Sequence, residues 1–243
     1  MRNTRIYLNQ SLDLNTRIEL DRQAAHHLTR VLRLRNNDSF TIFNGRSGDY
    51  KAQLNIDNKK YFAKIIEHLN PLTSPSISIN LLQCISKGDR MDFAIQKATE
   101  LNVSTIIPVI SEHTAFSLKD DRWEKKLAHW RAVAISACEQ CGRNDIPDII
   151  HPVHFDQQLS SNMDGTKLIL DPLADNQLSS IKPDTNNFYL LIGPEGGLSD
   201  VEVTRAKQNG FSGIKLGQRI LRTETAAIAG IAAIQTLWGD FRS

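Results

Sequence analysis

Three polar loops in the second half of the chain carry residue types that can bind a ligand. Each directly follows an apolar segment typical of a buried strand: LILDPLADNQ (168–177), LLIGPEGGLSD (190–200) and IKLGQRILRTET (214–225). In open parallel sheets, ligands bind at the carboxyl ends of the strands. We therefore expect the three loops to line one pocket.

The middle loop contains IGPEGG, in which Gly193, Gly196 and Gly197 let a ligand approach the backbone closely. The helix that follows offers free N–H groups to an anion. The segment lacks the Lys-Ser or Lys-Thr pair of a P-loop and the G-x-G-x-x-G spacing of the usual dinucleotide fingerprint. Taken alone, the hexapeptide fits a tight strand-to-helix turn almost equally well.

The third loop places Arg222 and Glu224 on either side of a threonine, directly before an alanine-rich helix. Thr223 or Thr225 can cap that helix, and a cap with a surface ion pair would explain the segment by itself. The expected position beside the IGPEGG loop favours a pocket instead. Backbone amides, apolar walls and an Arg–Glu pair suit a nucleoside-bearing cofactor better than a bare phosphate.

A helix predicted over residues 21–34 carries a basic stripe. His26, Arg30 and Arg33 recur at i, i+4 and i+7, Arg35 lies in the loop nearby, and apolar side chains are expected on the opposite side. Such a stripe suits an RNA phosphate backbone. A solvated face of an amphipathic helix explains it about as well.

Pattern and charge both divide the chain near LNPLTSPSIS (69–78), a segment typical of a linker. Residues 1–72 carry 12 Lys and Arg against 7 Asp and Glu, a net +5, and residues 73–243 carry 17 against 20, a net −3. Short strands around one helix predict a small β-barrel in the first part. Apolar strands alternating with helices predict a mostly parallel α/β sheet in the second.

Other chemistries lack their sequence signatures. The seven histidines show no H-x-x-x-H spacing, and the one C-x-x-C, at Cys138 and Cys141, has no second pair, so we expect no metal site. A C-x-x-C at the end of a helical pattern is typical of small packing residues rather than a redox site. The chain shows no membrane-spanning apolar stretch and no signal-peptide core, and we expect a cytoplasmic protein.

LLIGPEGGLSDVEV (190–203) and LGQRILRTETAAIAGIAAIQ (216–235) together resemble the signature of the SPOUT superfamily of methyltransferases. More narrowly, the chain resembles the family of ribosomal RNA small subunit methyltransferase E, and HHLTRVLRLRNND, KGDRMDFAIQKATELNVSTIIPV and ACEQCGRNDIPDI extend this resemblance over essentially its whole length. The resemblance implies a PUA-like β-barrel, RNA-binding, over residues 1–72. It implies a SPOUT α/β domain with a deep trefoil knot over residues 73–243.

The resemblance further implies a homodimer that uses S-adenosylmethionine (SAM) to methylate N3 of a uridine in 16S rRNA of the small ribosomal subunit. It assigns cofactor binding to residues of all three loops: Leu170, Asp171, Ile192, Gly193, Glu195, Gly196, Leu216, Gly217, Ile220, Leu221, Arg222 and Thr223. We expect RNA contacts from the basic stripe, from Arg35 and from Arg143, which follows the long helix.

Uridine N3 carries a proton and is a poor nucleophile until that proton leaves. We expect Glu224 to remove it or to orient Arg222. We expect Arg222 to stabilise the resulting anion electrostatically. Two alternatives stay open: a SPOUT methyltransferase acting on another RNA or another atom, and a non-catalytic RNA-binding protein with the same fold.

Overall fold

The protein, in a computed structural model, is described over three stretches: residues 4–72, 75–114 and 120–242. The chain forms two compact units, each built from two segments: residues 1–74 with 138–146, and residues 75–137 with 147–243. Residues 138–146 thus join the first unit, although no sequence pattern indicates it. The domain boundary between residues 72 and 73 stays a proposal.

The first unit is built on a mixed five-stranded sheet in the order β1-β3-β4-β5-β2. Its strands are β1 (Arg5–Tyr7), β2 (Arg17–Glu19), β3 (Ser39–Phe43), β4 (Asp49–Asp57) and β5 (Lys60–Asn70). Alternate residues of β4, namely Tyr50, Ala52 and Leu54, are buried in one hydrophobic core together with Ile42 and Ile65. This period-2 burial is what the sequence pattern predicts for a small β-domain.

The short strands β1 and β2 fall outside the sequence prediction. Each has three residues, Arg-Ile-Tyr and Arg-Ile-Glu, and holds one aliphatic side chain between two longer polar or aromatic ones. Ile6 is buried and Ile18 is half-buried. A segment of three residues is too short to display a recognisable alternation.

The prediction of a helix over residues 21–34 is wrong in the length of the helix and in its periodicity. The α-helix α1 spans only Arg22–His26 and continues as a π-helical turn over His27–Val31. The N–H of Leu32 donates to the carbonyl of His27 at 2.9 Å, which adds a residue to the turn. The extra residue breaks the predicted i, i+4, i+7 alignment, and Arg33 lies beyond the helix with φ +59°. Val31 and Leu32, expected on the side opposite the basic residues, are 57% and 36% exposed.

The second unit contains a seven-stranded sheet in which every pairing is parallel. Six strands follow the order β12-β10-β11-β6-β7-β8, and β9 pairs with β7. The strands are β6 (Ser78–Cys84), β7 (Thr105–Ile110), β8 (Asp148–Ile149), β9 (Val153–His154), β10 (Thr166–Leu170), β11 (Asn187–Ile192) and β12 (Ser212–Ile214). The helices are α2 (Asp89–Glu100), α3 (Asp120–Cys141), α4 (Phe155–Leu159), α5 (Asp200–Gln208) and α6 (Thr223–Trp238). The predicted fold class, a mostly parallel α/β sheet preceded by a small β-domain, is confirmed.

The helix α5 begins with a capping box. The hydroxyl of Ser199 accepts from the N–H of Glu202 at 3.3 Å, and the carboxylate of Glu202 accepts from the N–H of Ser199 at 3.0 Å. Glu202 also accepts from the N–H of Glu112 at 2.9 Å. These bonds explain why a carboxylate only 6% exposed is tolerated at this position.

The small residues of α6 let this helix lie close to the sheet. A Cβ atom added to Gly230 would stand 2.9 Å from Cδ2 of Leu190 in β11, so only glycine fits at this position without a shift. Ala227, Ile231 and Ile234 are fully buried on the same helix.

Within the part of the chain that the structure describes, no helix is long and apolar enough to cross a membrane.

The three cysteines lie in different environments. Burial raises the pKa of the Cys84 and Cys138 thiols to about 12, and Cys141 is exposed. At pH 8 only about one in 10⁴ thiols with such a pKa is a reactive thiolate. We expect iodoacetamide to label Cys141 alone in the folded protein and all three cysteines after unfolding, as read by peptide mass spectrometry. Fast labelling of Cys84 or Cys138 in the folded protein would contradict this.

Candidate active site

A cavity of about 880 Å³ opens at the carboxyl edge of the second unit's sheet. The strands β12, β10 and β11 are neighbours there, and all pairings between them are parallel. Their carboxyl ends therefore meet at the same edge, and the three loops that follow them line the cavity.

Eleven of the twelve residues predicted to bind a cofactor line this cavity: Leu170, Asp171, Ile192, Gly193, Glu195, Leu216, Gly217, Ile220, Leu221, Arg222 and Thr223. The twelfth, Gly196, is not among the lining residues. A Cβ atom added to Gly196 would stand 3.2 Å from Cβ of His113, so this glycine makes room for a histidine. The predicted roles of these residues in binding stay predictions.

The first loop is fixed by an ion pair that the sequence does not indicate. Nζ of Lys207, in α5, lies 3.0 Å from the carboxylate of Asp171, whose side chain is only 8% exposed. The same carboxylate accepts from the N–H of Leu173 at 2.9 Å. A Cβ atom at Gly213 would stand 3.2 Å from Cε of Lys207, so the glycine leaves room for the lysine. Lys207 thus balances the negative charge of Asp171 at the cavity wall.

The second loop is held through the side chain of Glu195. Its carboxylate accepts from the N–H of Lys87 at 3.0 Å and pairs with Arg90 at 3.1 Å. Partial burial opposes ionisation of Glu195, but the hydrogen bonds from backbone N–H groups and from Arg90 outweigh it and lower the pKa of the carboxyl group. Glu195 therefore remains an anion that anchors its loop.

The third loop departs from the prediction at the start of α6. The N-cap residue is Arg222, which makes no side-chain capping bond, so neither Thr223 nor Thr225 caps the helix. The hydroxyl of Thr223 is buried and donates instead to the carbonyl of Gly193 at 2.7 Å. Thr223 thereby ties the third loop to the second.

Arg222 and Glu224 both line the cavity, as the sequence predicts for a reactive pair. Arg222 is exposed and Glu224 is half-buried. Oε2 of Glu224 is buried and, within the described ranges, has no hydrogen-bond partner. A buried carboxylate oxygen without a donor is costly in a folded protein unless a ligand supplies the missing bond.

The lining residues fit a nucleoside-bearing cofactor. The walls are apolar at Leu170, Ile192 and Leu216, and Gly193 also lines the cavity. Cavities of roughly 300–1,000 Å³ with such walls and a few polar groups hold ligands of this size. Among the residues that the structure describes, no group of three or more His, Cys, Asp or Glu side chains is placed to hold a metal ion.

The predicted RNA-contacting residues all belong to the first unit. His26, Arg30, Arg33 and Arg35 are exposed. Arg143 differs, because its side chain is only 8% exposed and its guanidinium donates to Asp145 at 2.6 Å and 2.9 Å. The structure thus gives Arg143 an ion pair inside the unit, and its contact with RNA stays a prediction.

Two family models match the chain. The model described as an RNA methyltransferase domain matches residues 73–235, and the model described as an RNA methyltransferase PUA domain matches residues 20–67. The first match contains all three loops of the cavity, and the second contains the exposed basic residues from His26 to Arg35.

The chain is similar to a relative named ribosomal RNA small subunit methyltransferase E from Buchnera aphidicola of Schizaphis graminum, with 40% identity over 97% of each chain. A solved structure of a protein with the same name from Neisseria gonorrhoeae, bound to SAM, is 38% identical with a TM-score of 0.90, covering 98% of this chain and 99% of that one. A methyltransferase from Legionella pneumophila in complex with SAM is 36% identical with a TM-score of 0.93, covering 99% and 100%.

Proposed function

Because the chain belongs to the ribosomal RNA small subunit methyltransferase E family, we propose that it transfers a methyl group from SAM to N3 of a uridine in 16S rRNA. One observation of this chain carries the proposal. Glu224 lines the same cavity as Arg222, and its Oε2 has no hydrogen-bond partner among the described residues. The N3–H group of uridine can donate a hydrogen bond to this carboxylate. The carboxylate can then accept the proton, which must leave N3 before N3 is methylated.

The three loops of the cavity would hold SAM, as they surround a space of suitable size and polarity. When bound, SAM supplies an electrophilic methyl group on a positively charged sulfur. Leu170, Ile192 and Leu216 give the cavity apolar walls, and Gly193 lines it beside Ile192. The two solved relatives with bound SAM support this assignment.

Glu224 and Arg222 would act on the uridine. Glu224 accepts the proton from N3, which leaves a negative charge shared by N3, O2 and O4. Arg222 is exposed at the cavity and stabilises that charge, because a fixed cation lowers the energy of an anion that develops during reaction. Holding the uridine N3 in line with the methyl group supplies much of the remaining acceleration.

The first unit would bind the rRNA. Its exposed basic residues, from His26 to Arg35, lie within the segment that matches the PUA model, and residues 1–72 carry a net charge of +5. We further propose a homodimer in which half-exposed residues of α6, such as Ile228, Ala229 and Ala232, meet a second copy. A protein with this substrate acts in the cytoplasm.

The proposal is tested with purified protein, methyl-labelled SAM, and 16S rRNA offered both free and in the assembled small subunit. We expect label in N3-methyluridine after digestion to nucleosides. Label in a different nucleoside would indicate a methyltransferase that acts on another atom. Failure of the protein to bind SAM would favour a non-catalytic RNA-binding protein.

A further inference from the structure

Gln83 is a buried polar residue in the middle of the second unit's sheet. It lies in β6, opposite Ile192 of β11 in the strand register, and is 1% exposed. Its Nε2 donates to the hydroxyl of Thr223 at 3.0 Å and to the carbonyl of Cys84 at 3.0 Å. The two bonds offset the cost of burying the amide N–H groups, whereas the buried Oε1 has no hydrogen-bond partner among the described residues.

The bonds around Thr223 form a chain with a fixed direction. The hydroxyl of Thr223 has one hydrogen, which it donates to the carbonyl of Gly193 at 2.7 Å. The same oxygen therefore acts as the acceptor for Nε2 of Gln83 at 3.0 Å. The chain runs from Gln83 to Thr223 to Gly193 and joins β6 to the second and third loops of the cavity.

We propose that Gln83 is a positioning residue for the cofactor cavity. Gln83 is not among the residues that line the cavity, so it acts through the Thr223 hydroxyl. By occupying the acceptor side of that hydroxyl, it directs the single hydroxyl proton to Gly193 and holds the second and third loops in one arrangement. This inference rests on the proposed function in taking SAM as the ligand of the cavity.

The hydrogen bonds within such a chain polarise one another, so the loss of one bond also weakens the others. Without the Gln83 amide, the Thr223 hydroxyl is free to rotate, and the loops pay an ordering cost when SAM binds. We expect this ordering cost to raise the dissociation constant for SAM by roughly fivefold to tenfold.

The test measures SAM binding by calorimetry on the full-length protein, together with thermal unfolding in the absence of SAM. Gln83→Met removes the amide and keeps the side-chain length. Thr223→Val removes the hydroxyl and keeps the shape, and Thr223→Ser retains the hydroxyl. We expect Gln83→Met and Thr223→Val to weaken SAM binding by similar factors, the double variant to weaken it little further, and Thr223→Ser to recover most of the loss of Thr223→Val.

Gln235→Met is the matched control. Gln235 is a fully buried glutamine near the end of α6, where Nε2 donates to the carbonyl of Leu101 at 2.9 Å and Oε1 accepts from the N–H of Asp240 at 3.0 Å. We expect Gln235→Met to lower the melting temperature at least as much as Gln83→Met and to leave SAM affinity unchanged.

Three results would overturn the inference. Gln83→Met could bind SAM as tightly as the parent, Gln235→Met could weaken SAM binding equally, or Gln83→Met and Thr223→Val could have fully additive effects. A parent protein that does not bind SAM would overturn the proposed function and this inference with it. A parent that binds SAM while Gln83→Met is unaffected would overturn the inference alone.

Discussion

Replacing Glu224 with glutamine lowers the rate of methyl transfer by on the order of 10²–10³-fold and changes SAM affinity by less than about threefold. Glutamine keeps the size and shape of the side chain, but its amide cannot accept the N3 proton as a base. The half-buried carboxylate lines the cavity, and its Oε2 has no hydrogen-bond partner among the described residues, so it retains an unused acceptor. Single-turnover kinetics with saturating SAM and calorimetric binding separate the two quantities.

The pH dependence of the same variant gives an independent measure. Solution hydroxide removes the N3 proton more readily as the pH rises, so the deficit of Glu224→Gln should narrow at higher pH. Glu100→Gln is the control, because Glu100 is a half-buried carboxylate on α2 that pairs with Lys97 at 2.8 Å. It should leave the rate unchanged at every pH.

Arg222→Ala belongs to the same experiment. Removing the exposed guanidinium should lower the rate by roughly 10²-fold, because the anion on N3, O2 and O4 loses its cation. Arg222→Lys should recover part of that loss, since a lysine retains the charge without the planar fork. If Arg222→Ala and Glu224→Gln both kept near-normal turnover with normal SAM binding, the reaction would depend on other residues.

The second large effect concerns rRNA binding by the first unit. The triple variant His26→Ala, Arg30→Ala, Arg33→Ala should weaken rRNA binding by on the order of tenfold to a hundredfold at moderate salt. It should also reduce the slope of log affinity against log salt by about 2, because two phosphate contacts made by arginine are lost. SAM affinity should not change. Filter binding at several salt concentrations gives both quantities.

A charge-matched variant distinguishes specific contacts from the loss of net charge. Arg17→Ala with Lys60→Ala also removes two positive charges from the first unit, but these side chains already pair with Asp57 at 3.3 Å and Glu19 at 3.1 Å. We expect this double variant to retain most of the rRNA affinity and the salt slope. An unchanged salt slope in the triple variant would contradict RNA binding through these residues.

Some features of the site follow from patterns in the sequence. Strand-ending loops rich in glycine and charge lie at the carboxyl edge of a parallel sheet, and the three loops line one cavity. The family resemblance supplied the twelve individual residues, of which eleven line that cavity. The capping box of Ser199 and Glu202 is local. For the capping box, the pattern and the contacts that explain it lie within a few residues of each other.

The features that were missed depend on contacts between distant segments. Lys207 pairs with Asp171 across 36 positions, and Gln83 bonds to Thr223 across 140. No periodicity or spacing can indicate such partners. Thr223 resembles a helix cap in the sequence, but in the folded protein its hydroxyl donates a hydrogen bond to the carbonyl of Gly193. Tertiary competition for a donor overrides the local preference there.

The prediction of a basic stripe on a helix over residues 21–34 is wrong for a different reason. The sequence from Arg22 to Val31 fits an α-helical period, but the helix changes to a π-helical turn at His27 and ends at Val31. One extra residue in a turn rotates all that follows by about 100°, so the three basic residues do not form the predicted stripe. Their exposure is retained, and exposure is what the proposed RNA contacts need.

Mass spectrometric mapping of 16S rRNA from cells that lack the gene tests the central claim most directly. The strain would be complemented with the parent gene, with the Glu224→Gln variant, or with an empty vector. We predict that one N3-methyluridine is absent with the empty vector, restored by the parent gene, and restored poorly or not at all by Glu224→Gln. An intact N3-methyluridine in the strain without the gene would contradict the proposed function.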